Sequence, residues 1–410
     1  MEFDFDAAMT RLSGTVLPTP LEHNVKLSKK YGCDVYLKRE DKQIVRSYKL
    51  RGAYNLMSQL PPELLASGVA CASAGNHAQG VAFSCSKLKV PGVIFMPEIT
   101  PKQKVRQTKA FGGTYVTIIL AGDTFDDCLA EAELYAKKYD MVMVPPFDNP
   151  MIIEGQGTVG VEIYRDLPEV EAVIAPIGGG GLIAGVGSFL KSKNQAVKVI
   201  GAEPMGAASM RAAYTAGQPI ALETMDKFVD GAAVRKVGVL PFEICRYVVD
   251  EVISIPEGQV CNTILQLYDD DAIVVEPAGA LSVSALEQCQ GLLRGKKVVC
   301  IVSGGNNDID RMQEIKERAL LYMGLKHYFM VRFPQRPGAL KYFVTNVLGP
   351  TDDITRFEFI KKTERESGPA LVGVELANRE DYSSLLIRMQ ESQFEIMEIN
   401  KDDLLFEYFV

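Results

Sequence analysis

Four short runs set the tightest limit on what this chain can fold into: GVIFMP at residues 92–97, EAVIAPIGGGG at 171–181, VKVIGAEP at 197–204 and KKVVCIVSGG at 296–305. Each is apolar at successive rather than alternate positions and ends in glycine or a polar cluster. A strand without a polar face has to be covered on both sides, the situation of a parallel strand with helices above and below its sheet. The first 320 residues are therefore expected to be α/β, with any ligand beyond the carboxyl ends of the strands.

The 410 residues are more than one hydrophobic core accommodates, and the pattern changes near KERALLYMGLKH at 316–327. Beyond it the order reads strand HYFMVRFP, helix GALKYFVTNVLG, strand ITRFEFIKK, strand ALVGVELA, helix DYSSLLIRMQESQ and strand FEIMEI. This β-α-β-β-α-β order, with strands that alternate apolar and polar residues, predicts a ferredoxin-like α+β domain over 326–410. It carries no nucleophile, metal cluster or phosphate loop, so a regulatory role is expected for it.

With 44 Lys and Arg against 52 Asp and Glu, the net charge is -8 and no basic cluster is interleaved with aromatics. That balance speaks against nucleic acid as a partner. The start MEFDFDAAMTRL is not a secretory signal, and no uncharged run approaches the ~18 residues of a membrane span, so a cytoplasmic protein without a membrane partner is expected. Eight scattered cysteines lack any C-x-x-C pair and three histidines lie far apart, which predicts reduced thiols and no metal site.

A G-x-G-x-x-G pattern at Gly155, Gly157 and Gly160 follows FDNPMIIE rather than an uninterrupted strand, and no acidic residue stands about 20 positions on. It is read as a helix opening at Gly155 and needing close packing, and not as a dinucleotide loop. Gly178, Gly179, Gly180 and Gly181 are different, because they join an apolar run to an amphipathic helix. Converging backbone N–H groups at such a helix start bind phosphate, whether of a nucleotide or of a smaller cofactor. The absence of a G-K-[ST] ending favours the smaller one. Two weaker loops accompany it, CASAGNHAQG with Ser73, Gly75, Asn76 and His77, and IVSGGNND with Ser303.

Taken in order, RSYKLRGA with Lys49, SAGNHAQG with Asn76, GGGGL from Gly178, EPAGA at Glu276 and SGGNN with Ser303 closely resemble the fold-type II pyridoxal-phosphate enzymes of the threonine and serine dehydratase family. VRFPQRPGALKYF in the tail narrows the resemblance to biosynthetic threonine ammonia-lyases with one ACT-like regulatory subdomain. It implies a tryptophan-synthase-β-like catalytic domain over 1–320, with two open parallel-sheet subdomains, the smaller spanning roughly 50–150, followed by the ACT-like domain. It also implies pyridoxal 5'-phosphate as cofactor, L-threonine as substrate, isoleucine as effector and a homotetramer or homodimer.

Residue by residue, the resemblance implies that Lys49 joins the cofactor as a Schiff base and then removes the substrate's α-proton. Gly178 to Gly181 with Leu182 match the phosphate cup, Asn76 the partner of the phenolic oxygen and Ser303 the partner of the pyridine nitrogen. Ser73, Ala74, Gly75, Asn76 and His77 match the loop that grips the substrate carboxylate. Tyr48 stands where the family usually has phenylalanine, and packing beside the cofactor is expected of it. Ala74 replaces the second base of serine racemases, which predicts poor racemisation. AEPMGAASM offers only Glu203 where those relatives bind a divalent ion. Two other readings stay open: a serine-preferring dehydratase or β-replacement enzyme of the same fold, and a non-catalytic amino-acid sensor.

Overall fold

The computed structural model describes residues 2–361, 366–400 and 405–406. The chain forms two compact units, Met1–Asp310 and Arg311–Val410.

Two sheets organise the first unit. In the larger, the strands run in the order Leu21–His23, Asp34–Arg39, Lys297–Val302, Ala172–Pro176, Lys198–Pro204, Glu251–Ile255, all parallel except the first. The smaller sheet is parallel throughout, in the order Val116–Leu120, Gly92–Met96, Val69–Ala72, Val142–Met143. All four doubly apolar runs are parallel strands, and every residue of Ala172–Pro176 is buried. Each sheet has its own core, one around Ile153, Ile163, Val173, Val186 and Val199, the other around Met57, Val81, Ile94 and Ile152.

The helix expected to open at Gly155 begins at Pro150 and runs to Asp166. Asn149 caps it, its Oδ1 accepting from Met151 N at 2.8 Å, and proline at the first helical position has no amide hydrogen that would go unpaired. Asp148, Asn149 and Pro150 thus start a helix, the preceding strand having ended at Met143. The three glycines fall inside it. A Cβ on Gly155 would lie 2.7 Å from Arg51 O, and one on Gly157 2.9 Å from Gly185 O. Their bare backbones let the helices Lys49–Met57 and Gly181–Lys193 pack closely against this one.

A buried quartet of charges ties the first of those helices down. Arg51 pairs with Glu40 at 2.8 Å and with Glu162 at 2.7 Å, while Lys38 reaches Glu162 at 2.6 Å. Two cations balance two anions, which lets four ionised groups tolerate burial. Burial acts to raise the Glu162 pKa, but Arg51 and Lys38 overcome it and hold the carboxyl well below its usual range.

The second unit holds a four-stranded antiparallel sheet in the order Asp353–Phe359, Ser367–Glu375, Lys326–Pro334, Glu395–Glu398. Helices Ala339–Asn346 and Asp381–Glu391 complete the ferredoxin-like order, over a core of Phe329, Val331, Phe343, Leu385 and Met389. The expected strand 354–362 ends at Phe359, and Lys362 lies outside the described residues. Helix Met312–Met323, which the sequence reading left mostly with the first domain, belongs to this unit: Tyr328 donates its hydroxyl to Glu317. All eight cysteines are buried and none is in a disulfide.

Candidate active site

The lysine of RSYKLRGA is set in place by backbone pairing. Ser47 and Gly304 form an isolated antiparallel bridge, and Tyr48 N donates to Ser303 O at 3.2 Å. Strand Lys297–Val302 therefore delivers Ser303 directly beside the residue that precedes Lys49. Lys49 opens the helix Lys49–Met57, and its Nζ donates to Pro146 O at 2.9 Å. The rings of Tyr48 and Phe147 flank it, with centroids 5.5 and 6.0 Å from Nζ. Burial lowers its pKa to about 8, against an opposing pull from Glu276. At pH 7 roughly one amine in ten is then unprotonated, against fewer than about one in a thousand for an ordinary lysine. Burial, then Glu276, raises the Tyr48 phenol, so this hydroxyl stays neutral.

Helix Asn76–Leu88 crosses the first turn of the lysine helix at Gly80, where a Cβ would meet Leu50 N at 3.1 Å. That crossing places Asn76 at the site. Its Nδ2 donates to Glu276 Oε1 at 2.6 Å, and its Oδ1 accepts from Asn306 Nδ2 at 2.7 Å. Glu276 is buried, and desolvation followed by the charge of Asp230 raises it to about 7. Ser73, Ala74, Gly75 and Asn76 are partly exposed at the helix start, with Ser73 Oγ accepting from Gly75 N at 3.2 Å. His77 points the other way. Its ring is buried and donates from Nε2 to Val144 O at 2.8 Å, so its side chain is not presented to a substrate.

The four-glycine loop connects Ala172–Pro176 to Gly181–Lys193, with Gly180 at φ 90°, a left-handed conformation that favours glycine. Protein packs into the space the missing side chains leave. A Cβ on Gly179 would stand 2.2 Å from the Phe147 ring, and one on Gly178 3.1 Å from Ala232. Packing alone does not account for the loop. Among the described residues no acceptor takes the amide N–H groups of Gly179 to Leu182, although all four residues are buried. Unpaired buried amides at a helix N-terminus are a donor set for a dianion. Ser303, the last of the expected contacts, is buried with its hydroxyl donating to Ala278 O at 3.3 Å.

Phe147 touches both halves of this arrangement, lying over Gly179 and 6.0 Å from the Lys49 amine. The structure thus brings together Lys49, Tyr48, Asn76, the glycine loop and Ser303. Sequence reasoning missed the acceptor at Pro146, the ring of Phe147 and the charge of Glu276. The last was visible in EPAGA, whereas a backbone acceptor leaves no mark in a sequence. Among the described residues no three His, Cys, Asp or Glu side chains group as metal ligands. Glu203 accepts instead from Met210 N at 2.9 Å and Arg211 N at 3.1 Å, and burial raises it to about 7.

A desolvated amine, a dianion cradle at a helix start, and neutral partners in Asn76 and Ser303 fit a phosphorylated pyridine aldehyde, and they define a pyridoxal-phosphate dependent enzyme. Residues 12–304 match the family described as pyridoxal-phosphate dependent enzyme, and residues 317–409 match the C-terminal regulatory domain of threonine dehydratase. The chain is 54% identical over 408 residues to the biosynthetic L-threonine dehydratase IlvA of Halalkalibacterium halodurans, covering 99% of this chain and 98% of the relative. It is 52% identical over 404 residues to that of Bacillus subtilis, covering 98% and 96%. Among solved structures it resembles the processed form of threonine deaminase isoform 2 from Solanum lycopersicum, at TM-score 0.72 and 39% identity over 77% of this chain and 93% of that one. Maize serine racemase gives TM-score 0.72 at 29% identity, covering 78% and 97%. The chain belongs to the biosynthetic threonine dehydratase family. No helix of the described residues is long and apolar enough to cross a membrane.

Proposed function

We propose that this protein deaminates L-threonine to 2-oxobutanoate and ammonia, the committed step toward isoleucine. The observation that carries the reading is the Lys49 amine, half-buried with a pKa of about 8 and bridged by Phe147 to a loop of unpaired amides. In this reading Gly178 to Gly181 and Leu182 hold the phosphate of pyridoxal phosphate, Ser303 faces its ring nitrogen, Asn76 its phenolic oxygen, and Tyr48 packs beside it. When bound, the cofactor supplies an electron sink for the pair left at the substrate's α-carbon.

The chain's own residues do the rest. The backbone of Ser73 to His77, partly exposed from Ser73 to Asn76 at a helix start, receives the substrate carboxylate, which the positive end of the helix dipole favours. Lys49, neutral in a useful fraction at physiological pH, takes the α-proton onto Nζ, and Pro146 O accepts from that amine before and after the transfer. The β-hydroxyl then leaves as water. A water molecule is added again when ammonia is released, so threonine yields 2-oxobutanoate and ammonia in balance. The neutral hydroxyl of Ser303 does not hold a positive charge on the ring, which favours elimination over transamination.

The second unit supports regulation by an amino acid end-product, with isoleucine the expected effector, in a cytoplasmic homotetramer or homodimer. The test is direct: protein reconstituted with pyridoxal phosphate should release 2-oxobutanoate from threonine, and Lys49→Ala should lose both the product and the borohydride-sensitive visible band. No product at saturating threonine refutes the assignment. Titrating isoleucine against the rate tests the regulatory half.

A further inference from the structure

The segment Val144 to Asn149 crosses the site as a strap, and its two ends are tied differently. At the far end Asp148 accepts from Val239 N at 2.8 Å and Leu240 N at 3.0 Å, and Asn149 caps its helix. At the near end Val144 N donates to Ala70 O at 2.8 Å, while Val144 O receives the His77 ring at 2.8 Å. Between the ties stand Pro145 and Pro146, whose fixed φ leaves few free torsions between the Val144 tie and the Pro146 carbonyl, so moving Val144 moves that carbonyl. That carbonyl is the acceptor of the Lys49 amine.

We propose that His77 is a positioning residue: through Val144 and the two prolines, its Nε2–H aims the Pro146 carbonyl that orients the Lys49 amine. The inference rests on the role assigned to Lys49 above. A carbonyl only accepts, so Nε2 carries hydrogen. Burial, then the nearby charge of Lys49, lowers the His77 pKa to about 3, so the ring stays neutral and places no second cation beside the amine. The other titratable groups facing Lys49 are Glu276, which raises its pKa, and the neutral phenol of Tyr48. The tie also keeps the strap down over the amine, and burial is what depresses the Lys49 pKa most.

The experiment measures Lys49 in cofactor-free protein, by the pH dependence of its acylation with acetic anhydride read from the peptide mass spectrum. His77→Gln places an amide donor at the reach of Nε2, whereas His77→Asn falls short and His77→Phe has no donor. His77→Gln should keep the native profile. His77→Asn and His77→Phe should let water in beneath the strap, shifting the apparent pKa up by about one unit and cutting reactivity near pH 7 about tenfold. In the holoenzyme the acid limb of kcat, which reports the substrate complex in which the Lys49 amine acts, should move the same way. If His77→Phe does not fold, His77→Asn carries the same expectation. A folded His77→Asn or His77→Phe with the native acylation profile overturns the proposal, as does His77→Gln shifting as far as they do. The acylation readout needs no threonine, so failure of the substrate assignment would leave this result standing.

Discussion

Asn76 Nδ2 lies 2.6 Å from Glu276 Oε1, although the two residues are 200 positions apart in the chain. A buried carboxyl with a pKa of about 7 therefore stands beside the amide expected to face the cofactor's phenolic oxygen.

Replacing it by Glu276→Gln should stabilise the protein, and more so as pH rises. The folded value lies above the ordinary 4.5, so between pH 4.5 and about 7 the folded state binds the proton more tightly and stability declines with rising pH. The variant should remove that decline, a gain of about 1–3 kcal/mol at pH 8 and nearly none at pH 4. Because Glu276 also raises the Lys49 pKa, the acid limb of kcat, which reports the substrate complex, should move to lower pH. Urea unfolding at the two pH values reads the first effect and the rate profile the second.

Arg51→Met should leave Glu40 and Glu162 buried without their shared cation. The expected loss is about 3–5 kcal/mol of unfolding free energy. Glu162 is held below its ordinary value of 4.5, so its contribution is present above that pH and is lost as the solution is acidified below it. Without Arg51 that loss should begin at higher pH, and the acid unfolding midpoint should rise. A midpoint unchanged by the substitution would contradict this.

A methyl group at Gly179 has nowhere to go, since it would stand 2.2 Å from the Phe147 ring. Gly179→Ala should push the ring or the loop aside and weaken retention of pyridoxal phosphate by about 10–100-fold, equivalent to roughly 1.4–3 kcal/mol. Equilibrium dialysis measures it. Gly291→Ala, where a Cβ meets nothing within 4 Å, is the matched control and should retain cofactor normally.

Chelation should leave the threonine rate unchanged. The Glu203 carboxylate is taken up by the amides of Met210 and Arg211 at the start of helix Ser209–Ala216, and Ser209 offers no second carboxylate. Activity lost to EDTA and restored by magnesium would show that a divalent ion is needed after all.

How far a sequence reaches depends on whether side chains or backbone do the work. Val298 to Val302 and Ala172 to Pro176 announce buried parallel strands because they have no polar face, whereas the alternation in the tail misleads: the edge strands Asp353–Phe359 and Glu395–Glu398 keep exposed positions, but the central strands are buried on both faces, Tyr328 and Leu371 packing against Leu321. The four glycines stand out because a run of them costs backbone entropy, and Lys49 because RSYKLRGA stands in order with the other motifs. The glycine pattern sets the helix that begins at Pro150 five residues late, because Asn149 and Pro150 mark strand ends and helix starts alike. The motif match counts His77 with the substrate loop, while the turn into helix Asn76–Leu88 sends its ring into the interior. Pro146 was invisible because its contribution is a carbonyl that every residue carries.

The glycines at 155, 157 and 185 have one more implication. The lysine helix leans on Pro150–Asp166 at Gly155, and the helix that opens at the glycine loop leans on it at Gly157 and Gly185. One helix thus acts as a spacer bar between the amine and the anion cradle, and its thickness, with no side chain at the points of contact, sets their separation. Bulk added at any of these glycines would alter the gauge of the site from behind, without touching a group that meets the substrate.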